Sequence, residues 1–218
     1  RRAGDIRENS FFRTHRRFDV ILSLGAERSQ EKKIKELTGM LLANSWLPSI
    51  LGLVASNNGA HIIHTGTYSH KSDYLEYDPQ SFYAATKRSG ELLLEYLSES
   101  QGFSTTVLHI YDLYGPGQPH KRLIPTLVRK LKTGERISIT PGDQEFRPLF
   151  VSDLVNVIVE LAKSENSMSR GVREFDVYGP ETFLVKHLPE IIASELSLSL
   201  DSSRIDRTMK YREREIMR

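Results

Sequence analysis

The chain has 218 residues, of which 39% are hydrophobic and 27% charged, a composition typical of a globular protein that can bury a core. Low-complexity, collagen-like and intrinsically disordered classes are excluded on the same grounds. Lys and Arg number 30 against 28 Asp and Glu, and the net charge of +2 gives no electrostatic reason to expect nucleic acid or a membrane surface as a partner.

The chain contains no cysteine, which excludes disulfides, thiolate zinc sites and cysteine nucleophiles. This absence is consistent with a reducing compartment, and we expect a cytoplasmic protein. The longest apolar stretches, such as residues 47–55, are interrupted by Pro48 and Gly52 and are too short to cross a bilayer. We therefore expect no membrane partner.

Short apolar runs alternate with helical stretches over residues 18–110. Strands are predicted at residues 18–24, 61–64 and 105–110, and helices at residues 29–57 and 81–101. Because the strands show no internal alternation and are separated by helices, they predict a parallel sheet covered on both faces. Ligands of such sheets bind at the carboxyl ends of the strands.

The remainder of the chain has shorter elements. Helices are predicted at residues 123–133, 153–164 and 187–195, strands at residues 135–139 and 175–178, and the charged residues 204–218 are interpreted as a helix cut short. The texture of this part of the chain therefore differs from that of residues 18–110.

Tyr83 and Lys87 stand four residues apart near the start of the strongest predicted helix. This spacing places the phenol and the ammonium on one helix face, with Cβ atoms about 5–6 Å apart. A nearby cation favours the phenolate, which is what a tyrosine acid or base needs. A chance pair on a surface helix has the same spacing, so the interpretation depends on the rest of the sequence.

Further motifs accompany this pair along the chain. They are Gly4-Asp5-Ile6, Phe18-Asp19-Val20-Ile21 with Leu24-Gly25-Ala26, Asn44, Leu113-Tyr114-Gly115-Pro116-Gly117, and Phe146-Arg147-Pro148-Leu149-Phe150-Val151-Ser152-Asp153. Their order resembles the extended short-chain dehydrogenase/reductases, also called the NAD-dependent epimerase/dehydratase family, whose members mostly act on nucleotide sugars. The finer pattern, including Tyr-Ala-Ala-Thr-Lys, is most similar to the branch that contains CDP-abequose synthase, a reductase of 4-keto CDP-sugars.

The resemblance implies an α/β fold, a Rossmann-like doubly wound parallel sheet with a smaller C-terminal substrate-binding lobe. Residues 1–113 and 151–179 are expected to form an incomplete NAD(P)-binding domain, and residues 114–150 and 180–218 the lobe. The family holds the cofactor pyrophosphate with a Gly-x-x-Gly-x-x-Gly turn, and no such turn occurs in the 218 residues. We therefore expect the first βαβα units to be absent from this chain and to lie upstream.

The same resemblance assigns the catalytic residues. Tyr83 is the expected proton donor or acceptor at the sugar, Lys87 the partner of the nicotinamide ribose, and Thr65 the hydroxyl that positions the reacting oxygen. Thr67 is the alternative hydroxyl, because the motif can be aligned two residues along. Whichever threonine is not catalytic is expected to satisfy backbone groups of the turn.

The expected cofactor is NAD or NADP. The residues assigned to it by resemblance are Asp5, Ile6, Leu24, Gly25, Ala26, Asn44, Tyr83, Lys87 and Tyr111. Asp112 and Arg147 are assigned to the nucleotide-sugar substrate, since a guanidinium fork suits a diphosphate. The alternative for Arg147 is a surface ion pair.

No metal site is expected from the sequence, because none of the histidines has a carboxylate at a metal-binding spacing. The resemblance also implies a homodimer, in which the helices around residues 35–55 and 81–100 pack as a four-helix bundle.

The residues after Thr65 bear on the type of reaction. Dehydratases of the family carry an acid pair there, whereas this chain has Gly66 and Thr67, neither of which transfers a proton at neutral pH. We therefore expect a keto-sugar reductase or a 4-epimerase and disfavour elimination of water. The alternative is a nucleotide-binding or scaffold protein that keeps the fold without catalysis. Use of the fold to bind nucleic acid is a weaker third hypothesis.

Overall fold

The computed structural model describes residues 17–29, 33–71, 78–119, 121–164 and 171–208. Asp5 and Ile6, assigned to the cofactor above, lie outside the described residues. The chain divides into two compact units. The first, called the sheet unit below, comprises Arg1–Ile110 and Val155–Val177, and the second, the small unit, comprises Tyr111–Leu154 and Tyr178–Arg218.

A parallel sheet of four strands forms the centre of the sheet unit. In spatial order the strands are β1 (Val20–Ser23), β2 (His61–Thr67), β3 (Ser104–Ile110) and β8 (Gly171–Val177). Each neighbouring pair runs in parallel, and every residue of β2 is buried. The predicted α/β fold with a Rossmann-like parallel sheet is therefore confirmed.

Three helical segments pack in the sheet unit. They are α1 (Ile34–Leu41), continued by one π-helical turn (Leu42–Trp46) into α2 (Leu47–Asn58), and α3 (Phe82–Gln101). The core between helices and sheet contains Ala55, Ala60, Ile62, Leu94 and Phe103. Helix α3 begins at an N-cap serine, Ser81, whose Oγ accepts a hydrogen bond of 3.2 Å from the Ala84 N–H.

The continuous helical stretch Ile34–Asn58 is long and apolar enough, by length and composition alone, to cross a membrane. A helix over residues 29–57 was predicted, but only its apolar residues 47–55 were weighed as a membrane span, and the prediction that they are too short does not apply to the whole stretch. Buried helices of globular proteins pass the same test, and Met40, Ile50 and Ala55 of the stretch are buried in the structure. The stretch thus contributes side chains to the core of the sheet unit.

The small unit contains short strands and two further helices. Its strands pair as β4 (Asp112–Tyr114) with β7 (Pro148–Phe150), β5 (Ile137–Ser138) with β10 (Ile205–Asp206), and β6 (Glu145–Phe146) with β9 (Phe183–Leu184). The helices are α4 (Leu123–Thr133) and α6 (Leu188–Glu195), and α5 (Val151–Lys163) belongs to both units along the chain. The core of the small unit contains Leu127, Ile137, Ile139, Phe146, Val185 and Leu188.

Several predicted boundaries were wrong. Strand β2 continues through Thr67, because Thr67 still pairs with Ile110 of β3 and tertiary pairing overrides the weak strand propensity of Thr-Gly-Thr. The first helix begins at Ile34 and not at residue 29. The predicted final helix is also wrong at its start, since Ile205 pairs with Ile137 in a short parallel ladder. Residues 209–218 of that prediction lie outside the described part of the chain.

Candidate active site

Lys87 is a fully buried lysine, with 1% of its surface exposed. Its Nζ donates a hydrogen bond to the carbonyl oxygen of Thr65 at the end of β2, and lies 3.5 Å from Nε2 of His64. Burial lowers the pKa of Lys87 to about 8, while the nearby carboxylate of Glu91 acts in the opposite direction. An amine that titrates this close to neutral pH, at the end of a parallel strand, indicates a functional group.

His64 is neutral at physiological pH. Burial and the charge of Lys87 lower the pKa of His64 to about 3, and its Nδ1 lies 2.9 Å from Oγ of Ser23 on the neighbouring strand. A neutral imidazole does not repel the Lys87 ammonium. Ser23 and the neutral His64 are thus uncharged polar neighbours of the Lys87 amine.

Tyr83 stands one helical turn before Lys87 in α3 and is half-buried. The guanidinium carbon of Arg28 lies over the Tyr83 ring, 5.2 Å from its centroid. This contact places a cation against the face of the Tyr83 ring. Arg28 was not singled out from the sequence, because it follows β1 at a distance of many residues from α3.

The two candidate threonines differ in what their hydroxyls do. The Thr67 hydroxyl accepts a hydrogen bond of 3.3 Å from the Ser69 N–H and lies 2.9 Å from Oγ of Ser69, capping the short turn Tyr68–His70. The Thr65 hydroxyl donates to the carbonyl oxygen of Ser23 at 3.3 Å. Capping of the turn therefore accounts for the hydroxyl of Thr67. Thr65 is the threonine whose backbone carbonyl accepts the hydrogen bond from Lys87.

Asn44 lies in the π-helical turn and is fully buried. Its Oδ1 accepts from the Glu27 N–H at 2.9 Å, and its Nδ2 donates to the Glu27 carbonyl at 2.8 Å and to Oγ1 of Thr86 at 3.0 Å. Asn44 thus connects the loop after β1 to the turn of α3 that carries Tyr83 and Lys87. Single π-helical turns occur often at functional sites.

Gly90 permits the close approach of α3 to this turn. A Cβ at residue 90 would overlap the carbonyl oxygen of Asn44 and lie 3.2 Å from the Cα of Ser45. The Ser45 hydroxyl in turn donates a 2.8 Å hydrogen bond to the Thr86 carbonyl. Sequence reasoning missed Gly90, although a glycine inside a strong helix is a signal of a close backbone contact.

Leu24, Gly25 and Ala26 follow β1 and are exposed. A Cβ at Gly25 would meet no atom within 4 Å, so the end of this strand borders open space. This strand end lies close in sequence to Glu27, whose backbone Asn44 holds. The sequence contains no Gly-x-x-Gly-x-x-Gly motif.

Gly66 faces a buried acid from α3. A Cβ at residue 66 would overlap Oε1 of Glu91 and lie 2.8 Å from Cδ2 of His109. An acidic side chain at this position therefore has no room unless Glu91 or His109 moves. The structure also brings His70 to this pair, and one potential metal-ligand atom from each of the three lies within 4.8 Å of the others.

The small unit holds the two residues assigned to the substrate. The Asp112 carboxylate accepts a hydrogen bond of 3.1 Å from the Arg147 N–H. The Arg147 guanidinium donates to Glu145 at 3.1 and 2.7 Å, and it stacks over Tyr111 and Tyr178 with centroid distances of 5.7 and 5.3 Å. The ion pair anticipated as the alternative for Arg147 is thus present, on a platform of two tyrosines.

A model of the NAD dependent epimerase/dehydratase family matches residues 2–173 of the chain. CDP-abequose synthase of Yersinia pseudotuberculosis is 24% identical over 138 residues, which are 60% of this chain and 48% of that protein. The chain therefore spans about half the length of this curated relative.

Solved structures resemble the fold. UDP-N-acetylglucosamine 4-epimerase from Methanobrevibacter ruminantium M1, in complex with UDP-N-acetylmuramic acid, is 21% identical with a TM-score of 0.75, over 91% of this chain and 66% of that one. DesIV, a dTDP-glucose 4,6-dehydratase from Streptomyces venezuelae with NAD and TYD bound, is 21% identical with a TM-score of 0.72, over 93% and 64%. At these identities the likeness concerns the fold alone.

Proposed function

Since the chain belongs to the NAD dependent epimerase/dehydratase family, we propose that it is an NAD(P)-dependent reductase or epimerase that acts at C4 of a nucleotide sugar. The observation that carries this proposal is the buried ammonium of Lys87 at the carbonyl of Thr65. Burying a lysine costs free energy, so the position of Lys87 needs a reason other than stability. A catalytic Tyr-Lys pair supplies that reason.

Tyr83 is the proposed proton donor and acceptor. In the direction of reduction its phenol gives a proton to the ketone oxygen, and in the direction of oxidation the phenolate takes the proton of the C4 hydroxyl. Lys87 and Arg28 stabilise the phenolate. The Thr65 hydroxyl turns its proton from the Ser23 carbonyl to the reacting oxygen when substrate binds. Bound NAD or NADP would supply or accept the hydride.

The surroundings of Gly66 favour this reaction over elimination of water. An acid at this position would overlap Glu91, and the neighbouring Thr67 hydroxyl is used in capping the turn. Neither position therefore offers a group that can abstract a proton from sugar carbon or protonate a leaving hydroxyl. We infer reduction of a 4-keto sugar or 4-epimerisation.

Arg147 is the proposed contact to the nucleotide diphosphate. Its guanidinium stacks on the Tyr111 and Tyr178 rings and forms an ion pair with Glu145. A bound diphosphate would take the place of the Glu145 carboxylate as the partner of Arg147, and it carries more negative charge. Asp112 fixes the Arg147 backbone. Together these residues suit recognition of an anion that is part of a nucleotide sugar.

A second copy of the chain is the proposed protein partner. Leu42, Trp46 and Leu53 on the α1–α2 stretch and Leu92 and Leu93 on α3 are between 41% and 51% exposed. These two helical segments pack against one another in the sheet unit, and each of them exposes large apolar side chains. Such a surface supports the homodimer expected from the resemblance.

The rival hypothesis is a scaffold protein that keeps the fold without catalysis. Calorimetric titration of the full-length protein with NADH and NADPH distinguishes the enzyme from the scaffold. Turnover of 4-keto sugars linked to UDP, CDP and dTDP is then measured. The proposal predicts binding of one cofactor with a Kd in the micromolar range and turnover of one of the sugars. Absence of binding to both cofactors would favour the scaffold.

A further inference from the structure

Three potential metal ligands meet inside the sheet unit, on elements separated in sequence. His70 lies in the turn after β2, Glu91 in α3 and His109 in β3. All three side chains are at most 1% exposed, and one ligand atom of each lies within 4.8 Å of the others. Spacing along the chain does not reveal this set, because tertiary structure brings the three residues together.

Two atoms of this cluster have no hydrogen-bond partner although they are buried. They are Nδ1 of His70 and Oε1 of Glu91. A buried polar atom without a partner costs about 1–3 kcal/mol, and native proteins contain few of them. Two in one cluster of metal-ligating side chains point to a bound group that completes their interactions.

One distance in the cluster, which is a hydrogen bond between Glu91 and His109 in the structure, matches the ligand spacing around a small divalent ion. Oε2 of Glu91 lies 3.3 Å from Nε2 of His109. Two ligands of a tetrahedral Zn²⁺, each about 2.0–2.1 Å from the ion, lie roughly 3.3–3.4 Å apart. Little movement of these two side chains would be needed to hold an ion.

Asp176 stands where an outer carboxylate of a metal-bound histidine is expected. Its Oδ1 lies 3.3 Å from Nδ1 of His109, on the opposite side of the ring from Glu91. In the structure Nδ1 accepts from the Lys71 ammonium. On metal binding the Asp176 carboxylate can take over this nitrogen by accepting an Nδ1–H hydrogen bond, which leaves Nε2 as the metal ligand. Gly66 contributes by leaving the space that Glu91 and His109 occupy.

Two cations lie near the cluster and have other partners. Nζ of Lys71 is 3.2 Å from Nδ1 of His109 and also 3.2 Å from Oδ1 of Asp176. The Arg88 guanidinium is 3.1 Å from Oε2 of Glu91 and 2.9 Å from Oε1 of Glu174. When an ion binds, Lys71 and Arg88 retain Asp176 and Glu174 as partners.

We propose that His70, Glu91 and His109 bind one divalent transition-metal ion, for which Zn²⁺ is the best match to two imidazoles and a carboxylate. The ion links the turn after β2 to α3 and β3. Its role is to stabilise the fold next to the Tyr83–Lys87 helix, and it takes no part in the proposed reaction. This inference does not rest on the proposed function.

The test uses the full-length protein, freed of metal with a chelator and titrated with Co²⁺ and with Zn²⁺. We expect one equivalent of each ion to bind, an intense visible Co²⁺ spectrum of four-coordinate type, and a rise in the thermal midpoint with Zn²⁺. Asp176→Asn is expected to weaken the affinity about 10–100-fold.

His70→Gln and His109→Gln should abolish binding, and His61→Gln is the matched control, since His61 is a buried histidine outside the cluster. Binding that survives in both cluster variants would overturn the proposal. If the variants fail to fold, the Co²⁺ spectrum of the unaltered protein still decides, because absence of stoichiometric binding or a six-coordinate spectrum contradicts the site.

Discussion

The ammonium of Lys87 donates a hydrogen bond to the carbonyl oxygen of Thr65, and the nitrogen is withdrawn from solvent. Through this bond the helix that carries Tyr83 is connected to the end of the strand that carries the candidate hydroxyl. The arrangement is expected to cost stability, because the charge is desolvated. Burial of the Lys87 ammonium is therefore expected to lower the stability of the fold while it supports the proposed activity.

Lys87→Met is predicted to abolish turnover while raising the free energy of unfolding by roughly 1–3 kcal/mol at pH 7. The pKa of Lys87 is about 8 in the folded protein against 10.5 for an ordinary lysine, with His64 and Glu91 as its ionisable neighbours. The unfolded chain therefore binds more protons between these values, and the stability of the unaltered protein rises with pH across this window.

The stability difference between Lys87→Met and the unaltered protein should accordingly be largest below pH 8 and shrink as pH rises toward 10.5. Urea denaturation at pH 7 and pH 9.5 measures it, with Lys163→Met, an exposed lysine, as the control. A difference that grows with pH would contradict the assigned pKa direction.

Gly90→Ala is predicted to destabilise the fold by roughly 1–3 kcal/mol, because the added methyl overlaps the backbone of Asn44. Gly39→Ala is the matched control, since Gly39 is also helical and its added Cβ would meet only Glu27 Cγ at 3.7 Å. The control should be neutral or gain up to about 1 kcal/mol of helix propensity. Equal effects of both substitutions on the urea midpoint would argue against the close contact.

The sequence was sufficient for the strand-helix alternation and for the position of Tyr83 and Lys87 one turn apart on a helix, because both depend on local patterns. It did not reveal that Lys87 is fully buried or that the Arg28 guanidinium lies over Tyr83, because both depend on tertiary packing. The cluster of His70, Glu91 and His109 was missed for the same reason. The resemblance pointed to Asn44, but its bonds to Glu27 and Thr86 required coordinates. Strand β2 was predicted too short because pairing with β3 outweighs local propensity.

Arg147→Gln is predicted to raise the KM for the nucleotide sugar about 10–100-fold with little change in kcat, because it removes a charge-assisted contact to the diphosphate made in ground and transition states alike. Glu145→Gln should lower the KM, since Glu145 now occupies the guanidinium. Arg136→Gln, which removes an exposed ion pair to Asp206, is the control. Steady-state kinetics checks these values, and an unchanged KM in Arg147→Gln would remove Arg147 from the site.

Leu42→Glu combined with Leu92→Glu is predicted to convert a dimer to a monomer, because it places charges on the exposed apolar surface of the α1–α2 stretch and α3. Val155→Glu, at an exposed valine of α5, should leave the dimer intact. Light scattering at micromolar concentration gives the mass directly. A monomeric mass for the unaltered protein would contradict the proposed partner.

The central claim is that Tyr83 transfers the proton in a hydride-transfer reaction. The most direct measurement compares turnover of a 4-keto-sugar nucleotide by the unaltered full-length protein and by Tyr83→Phe, together with the Kd of each for the reduced cofactor. We predict a fall in kcat of about 10²–10⁴-fold with an unchanged Kd for the cofactor. Equal turnover by both proteins would contradict the account.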